Sequence, residues 1–437
     1  MKILHSFLYL FCFVHLSATI SSGQQVLTLE DAVNTGLSQN FDVLISKNNN
    51  DISKKNFNYG NAGFLPRLHT SISQTYTTSN STLKFFNGTE RSAKGAKSDA
   101  LNAAAAVNWT LFDGFNMFVS YDRLRTMNEI QKINLKESIQ QTILDIQKTY
   151  YQIVLQKKLL AALEQNIKMY EKIVDLVNAR LNIGTASKYD LMFSQVELNN
   201  YRASYYTQKT LLENAKIDLN TILSKKSEEE FDVVDTVVIR ERMNKEGVNL
   251  ALNNAVNLAD NFRLMNTLDL KSTRAQFYPT VGLTANYNYI KSQSQIGQVL
   301  FNQTSGFTYG VVATWNLFDG FSNRTSYQVS KIAAINSDIA YKKSKLESES
   351  RLSQYYKTYT TNLEIFYLEN ANIKIAQQVS ALAIDRFNLG VISAFELQES
   401  QRSFIAAQNR FENARYKAKI SELELLKLDG KIVEVKD

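Results

Sequence analysis

The sequence predicts a mainly α-helical chain with transmembrane β-strands. It reads as two copies of one unit, each giving two barrel strands and two long coiled-coil helices. Three observations carry this. "WTLFDGF" at 109–115 returns as "WNLFDGF" at 315–321, 206 positions later. Only Pro66 and Pro279 are proline in 437 residues, and they occupy matching places in the two copies. Such scarcity suits long uninterrupted elements, because proline breaks helices and sheet interiors. Finally, period-two alternation over about ten residues precedes each copy of the repeated heptapeptide, the pattern of barrel strands.

The chain opens "MKILHSFLYLFCFVHLSATISSGQQ", with an early lysine, an apolar run and small residues at Ser21, Ser22 and Gly23. This is the layout of a secretory signal peptide over 1–23, cleaved near Gly23. The apolar run is short for a membrane span. The only cysteine, Cys12, lies inside it, as do His5 and His15, which leaves His69 alone in the mature chain. Disulfides, thiol chemistry, zinc sites and nucleophilic triads need residues this chain does not group. Paired carboxylates could still hydrolyse sugars, but none form a pocket-like constellation. We therefore expect no enzyme, no cofactor and no metal site. Formal charge is +7 with both signs mixed. No dense Lys/Arg block tracks a phosphate backbone, so no nucleic acid is expected.

The duplication extends well beyond the heptapeptide. "RLNIGTASKYDL" at 180–191 pairs with "RFNLGVISAFEL" at 386–397, "FLP" at 64–66 with "FYP" at 277–279, and "LSQNFDVL" with "LADNFRLM". The expected organisation is a first repeat over 24–224, a charged equatorial connector over 225–247, a second repeat over 248–430 and a tail over 431–437. Each copy begins with an amphipathic lead-in helix ending at its proline. From Asn40 to Pro66 is 26 positions and from Asn261 to Pro279 only 18, so the second lead-in is about two turns shorter.

Two alternating runs follow in each copy. Leu101, Ala103, Ala105, Val107, Trp109 and Leu111 share one face, with Asn102, Asn108 and Thr110 on the other. In the second copy Val281, Leu283, Ala285, Tyr287 and Tyr289 oppose Thr284, Asn286 and Asn288; Phe307, Tyr309, Val311, Ala313 and Trp315 oppose Thr308, Gly310 and Thr314. The run from Leu68 to Tyr76 is weaker, and 79–99, with Lys84, Arg91, Lys94 and Lys97, reads as a surface loop. A soluble sandwich strand alternates too. Small Asn, Thr, Ala and Gly side chains, however, line a wet lumen better than they fill a core. Trp109 and Trp315 near strand ends suit a membrane-interface girdle. Four strands cannot close a barrel, and an open edge in lipid leaves backbone groups unpaired. The strands must be shared: three chains give twelve, two give eight.

From Phe115 to Asn182 no proline intervenes, and Ile139, Ile143, Ile146, Tyr150 and Ile153 step by four and three. After a polar gap at Lys157 the seam resumes through Leu160, Ile167, Tyr170, Val174, Val177 and Leu181. A sustained heptad of this length is a coiled-coil wall about 100 Å long. The return helices repeat every seven, through Leu191, Leu198, Tyr205, Leu212 and Leu219, and through Leu397, Phe404, Phe411, Ala418 and Leu425. The second long helix, 321–387, is less regular and carries two partial seams. Gly184 and Gly390 suit left-handed helix ends. Ser187 with Asp190, and Ser393 with Glu396, form capping boxes.

Taken together, the duplicated "LFDGF" after a strand, the duplicated R-x-x-x-G-x-x-S-x-[YF]-[DE]-L turn and the duplicated F-x-P lead-in resemble the TolC-like outer-membrane efflux proteins over nearly the whole mature chain. The resemblance implies a homotrimer with a 12-stranded β-barrel in the cell outer membrane, contacting its lipid, and an α-helical tunnel extending into the periplasm. It further implies a passive conduit in a tripartite efflux or type I secretion system. The partners would be a periplasmic adaptor (membrane fusion) protein and an inner-membrane pump of RND, ABC or MFS type. Drug efflux, metal efflux and protein secretion all fit. By the same resemblance the tip turns, with Arg180, Gly184, Ser187, Arg386, Gly390 and Ser393, would contact the adaptor. Glu396 and Glu399 would form the pore constriction, with Asp190 as first-copy counterpart. In a trimer Glu396 and Glu399, i,i+3 neighbours, would make a cation-attracting ring; alternatively they are a cap and a solvated helix face. Phe387 and Ile392 stand where some family members latch the tip with Tyr and Arg, so closure here would rest on apolar contacts. Two rival readings are a non-transporting trimeric anchor or adhesin, which would fill its lumen, and a soluble coiled-coil scaffold, which leaves the strands unexplained.

Overall fold

A computed structural model describes residues 26–240 and 253–432, with 243, 245 and 248 between them. The expected signal at 1–23, part of the connector and residues 433–437 lie outside the described residues. In chain order the elements are β1 (Val26–Leu27), α1 (Leu29–Gln39), α2 (Phe41–Asn56), α3 (Tyr59–Ala62), β2 (Arg67–Lys84), β3 (Glu90–Asp113), α4 (Asn116–Asn182) and α5 (Lys188–Ile222). They continue with β4 (Asp232–Val233), α6 (Asn254–Ala275), β5 (Thr280–Ser294), β6 (Phe301–Thr314), α7 (Ser322–Asn388) and α8 (Ala394–Leu428).

The four long strands form one antiparallel sheet in the order β2-β3-β5-β6. Neither β2 nor β6 pairs on its outer side, so the sheet is open at both edges. The two halves of the chain meet at β3–β5, where Trp109 lies opposite Leu283 and Asn102 opposite Ile290. Both strands of the first hairpin outrun the alternation. The stretch 79–99, expected to be a loop, is mostly strand, and its turn is only the five residues 85–89. About ten residues cross a bilayer, whereas β2 has 18 and β3 has 24. Beyond the apolar belt both faces meet water, so the apolar signal stops while the hydrogen-bond ladder continues.

The long helices α4 and α7 each have 67 residues, and each folds back on its return helix, α5 or α8. The sequence seam is the buried seam: Ile146, Ile153, Tyr170 and Val177 are all fully covered. One apolar cluster gathers at mid-length around Ile143, Ile146, Tyr150, Leu219, Phe231, Val233 and Leu423. Here β1 and β4 pair in parallel. The polar gap in the heptad has a structural reason. Lys157 Nζ reaches Asp232 at 2.7 Å and Asp235 at 3.0 Å, while Lys158 reaches Asp235 at 2.9 Å. Those lysines hold the segment after α5 against the helix wall.

The two lead-in helices differ more than in length. Asn40 breaks the first: its Oδ1 accepts from Asp42 N and Val43 N, and its Nδ2 donates to Ile222 O at 2.8 Å. Its counterpart Asn261 stays inside the single helix α6, donating to Asn257 O at 2.9 Å. One asparagine starts a new helix and ties it to the end of α5; the other is absorbed into a continuous one.

Candidate functional site: wall, junctions and tip

Register fixes which side chains share a face. Leu68, Ile72 and Tyr76 of β2 lie on the same face as Val107 and Trp109 of β3, Leu283 and Tyr287 of β5, and Tyr309 and Val311 of β6. This face is apolar and largely exposed: Ile72 is 79%, Tyr76 80% and Tyr309 77% accessible. So wide an uncovered apolar band is a surface for lipid. The opposite face carries Ser71, Ser73, Thr75, Asn102, Asn108, Asn286, Thr308 and Gly310. Short polar groups there leave room and hydrogen-bond water.

The repeated heptapeptide makes two near-identical strand-to-helix junctions. Gly114 and Phe115 both take left-handed backbone, φ 68° and 69°, and Gly320 and Phe321 repeat this at 67° and 69°. Left-handed phenylalanine is costly, so a local device must hold it. Asp113 accepts from Met117 N at 3.1 Å, and Asp319 from Asn323 N at 2.8 Å, capping α4 and α7. The rings flanking each Asp-Gly stack edge-on, Phe112 with Phe115 at 5.2 Å and Phe318 with Phe321 at 5.4 Å. Trp109 donates its indole N–H to Phe64 O at 2.9 Å, and Trp315 to Phe277 O at 3.1 Å. The two tryptophans thus tie the strands to the F-x-P lead-ins while remaining 41% and 59% exposed. Duplicated Asp-Gly after a strand was the available signal for this turn; the paired left-handed residues were not legible from spacing.

At the far end both capping boxes are complete. Ser187 Oγ accepts from Asp190 N at 3.1 Å, and the Asp190 carboxylate accepts from Ser187 N at 2.9 Å and Oγ at 2.6 Å. Glu396 accepts from Ser393 N at 2.8 Å and Oγ at 2.9 Å, and its own N–H donates to Ser393 Oγ at 3.2 Å. Ser187's hydroxyl and then its backbone N–H hold the Asp190 carboxyl below its ordinary range. Ser393's backbone N–H and then its hydroxyl do the same for Glu396. Gly184 and Gly390 are left-handed at φ 78° and 76°. Glu396 and Glu399 are exposed, and Glu399 faces Arg402 at 3.4 Å. Arg402 also reaches Glu197 at 3.5 Å, linking α8 to α5.

Tyr170, Val177, Leu198, Ala383, Phe387, Leu397 and Ile405 form one buried cluster drawn from all four tip helices, with Ile392 packed against it. Polar contacts cross it. Gln398 donates to Ser194 Oγ at 2.9 Å, both buried, and Arg180 donates to the carbonyls of Phe387 and Asn388. Arg180 is therefore half-buried between the hairpins, whereas Arg386 is exposed. Among the described residues no group of His, Cys, Asp and Glu could hold a metal ion, and no helix is long and apolar enough to cross a membrane.

Residues 32–225 and 266–431 match the family described as outer membrane efflux protein. Similar solved structures include the Campylobacter jejuni CmeC outer membrane channel, with TM-score 0.78 at 13% identity, covering 92% of this chain and 86% of that one. The outer membrane protein VceC of Vibrio cholerae gives 0.76 at 13% identity, covering 92% and 96%. CusC gives 0.77 at 13%, covering 92% and 91%. An uncharacterized protein of Haemophilus influenzae is 22% identical over 291 residues, 63% of this chain and 61% of that protein's length.

Proposed function

This chain belongs to the outer membrane efflux protein family, and from that premise we propose that it is the outer-membrane channel component of a tripartite efflux or type I secretion system. It is a passive conduit that lies in the outer membrane, with its helical tunnel in the periplasm. The carrying observation is the two-faced sheet open at both edges, exposed apolar side chains on one face and short polar ones on the other. Such edges cannot stand in lipid, and three chains close them into twelve strands. The trimer works with a periplasmic adaptor and an inner-membrane pump of RND, ABC or MFS type, which supplies the energy. The chain is made with the 1–23 signal, which is removed, and its two repeats, 24–224 and 248–430, flank an equatorial connector at 225–247.

Within that reading the tip turns, with Arg180, Gly184, Ser187, Arg386, Gly390 and Ser393, receive the adaptor, and Glu396, Glu399 and Asp190 form the constriction. What supports the constriction is placement: Glu396 and Glu399 are both exposed, one turn apart at the start of α8, and Asp190 holds the matching position in α5. Trp109 and Trp315 sit at the membrane interface, where an exposed indole whose N–H is already bonded is at home. The test is single-channel conductance in a planar bilayer, wild type beside Glu396→Gln/Glu399→Gln. A small cation-selective conductance that loses selectivity in the double variant is expected. Unchanged selectivity would remove the carboxylate ring, and no conductance from inserted trimers would favour the anchor.

A further inference from the structure

We propose that β6 of one protomer pairs with β2 of a second copy in the register of the internal β3–β5 junction, and that Asp319 meets the partner's Arg67 there. This rests on the trimeric channel reading and names its interface. By the heptapeptide repeat, β6 is the copy of β3, shifted by 206 positions; by the F-x-P repeat, β2 is the copy of β5, shifted by 213. β3 and β5 are paired within the chain, whereas their copies form the two open edges. Transposing the internal register sets Thr308 opposite the partner's Thr77, and Tyr309 opposite the partner's Tyr76. It also sets Trp315 opposite the partner's Thr70 and, past the copied bulge, Asp319 opposite the partner's Arg67.

Three features that did not enter that construction agree with it. First, faces match: Tyr309 and Ala313 fall opposite the partner's Tyr76 and the partner's Ile72, so the apolar belt runs unbroken. A slip of one residue would turn it against the polar face. Second, charge matches. Neither Arg67 nor Asp319 has an ion pair among those described, and the register brings them together at the base of the barrel. Third, a close approach recurs. A Cβ on Gly114 would lie 2.4 Å from Ala275 O, so that glycine admits the lead-in of the other half. Gly320 has the same left-handed backbone, yet nothing lies within 4 Å of it. The copy of Ala275 is Ala62, which the transposed contact supplies as the partner's Ala62.

The test uses the full chain, whose only cysteine is Cys12. Thr77→Cys/Thr308→Cys places two thiols directly opposite, within disulfide reach, whereas Thr77→Cys/Gly306→Cys or Thr77→Cys/Gly310→Cys sets them two residues out of step and too far apart. Oxidation should convert most of the first variant into covalent dimer and trimer and leave the others uncrosslinked. Ser73→Cys/Val312→Cys repeats the test should the first variant fail to assemble. Arg67→Glu should lower the temperature at which the trimer dissociates, and adding Asp319→Arg should restore it. Trimers that crosslink only in an out-of-step pair would overturn the register and leave the channel reading intact. A wild-type chain with no trimeric native mass would overturn both.

Discussion

The guanidinium of Arg180 lies over the ring of Phe387, 4.1 Å from its centroid, while donating to the carbonyl at the same residue. One side chain of the first hairpin thereby holds the C-terminal end of α7, where free carbonyls favour a cation. A half-buried cation–π contact contributes about 0.5–2 kcal/mol. Arg180→Gln removes it and the fork of donors; Arg180→Lys retains the charge without the fork. We predict that resting conductance in planar bilayers rises most for Gln and less for Lys. Equal conductance in all three would show that Arg180 does not restrain the tip.

The tip caps predict a pH response. Serine hydrogen bonds lower the Asp190 and Glu396 pKa values, so these carboxylates stabilise the tip fully above their ordinary range. That stabilisation is lost as pH falls through the lowered values. Hydrogen-exchange protection at 187–191 and 393–397, taken against the intrinsic rate at each pH, should therefore be as high at pH 5 as at pH 7, and fall only below the usual carboxylate range. Ser187→Ala should cost α5 about 1 kcal/mol and speed exchange in its first turn at neutral pH. Protection already lost at pH 5 would mean the boxes do not hold in solution.

The face assignment makes a steric prediction. Nothing lies within 4 Å of a Cβ on Gly310, which sits on the short polar face. Gly310→Trp places three indoles in the lumen of a trimer, whereas Val311→Trp adds its ring to the lipid side. Unitary conductance should fall in the first variant and stay at the wild-type value in the second. The opposite pattern would invert the barrel.

Much of this was legible because the signals were doubled. The two "LFDGF" segments marked both strand-to-helix junctions, and the serine–carboxylate spacing marked both caps to the residue. What stayed hidden depends on atoms distant in sequence. No spacing announces that Arg180 meets Phe387, or that Asn40 breaks a helix while Asn261 does not, since the difference lies in the carbonyl of Ile222. The stretch 79–99 was misread for another reason: polar composition looks like loop wherever a strand has left the membrane. Lys157 showed only as a gap in the seam until Asp232 and Asp235 explained it.

A buried ion pair fastens the connector. Lys419 and Glu422 are 2% and 0% exposed and 3.1 Å apart on α8. Lys419 Nζ also donates to Val238 O at 2.7 Å, and Glu422 accepts from Arg240 N at 3.1 Å. The pair thus grips two residues of the connector through their backbone. Breaking a buried pair by removing one partner costs about 3–5 kcal/mol, whereas replacing both by apolar residues of similar volume costs far less. Glu422→Ala should therefore lower the temperature at which the oligomer dissociates and speed proteolytic cleavage within 225–247. In Lys419→Met/Glu422→Leu the oligomer should regain most of its heat resistance, because the buried pair is replaced as a whole by apolar side chains. Cleavage should stay fast in that variant, because the contacts to Val238 and Arg240 are now both missing. Should the double variant dissociate as readily as Glu422→Ala, the loss would come from the missing backbone grip rather than from the broken ion pair, and the connector itself would be what holds the wall together at mid-length.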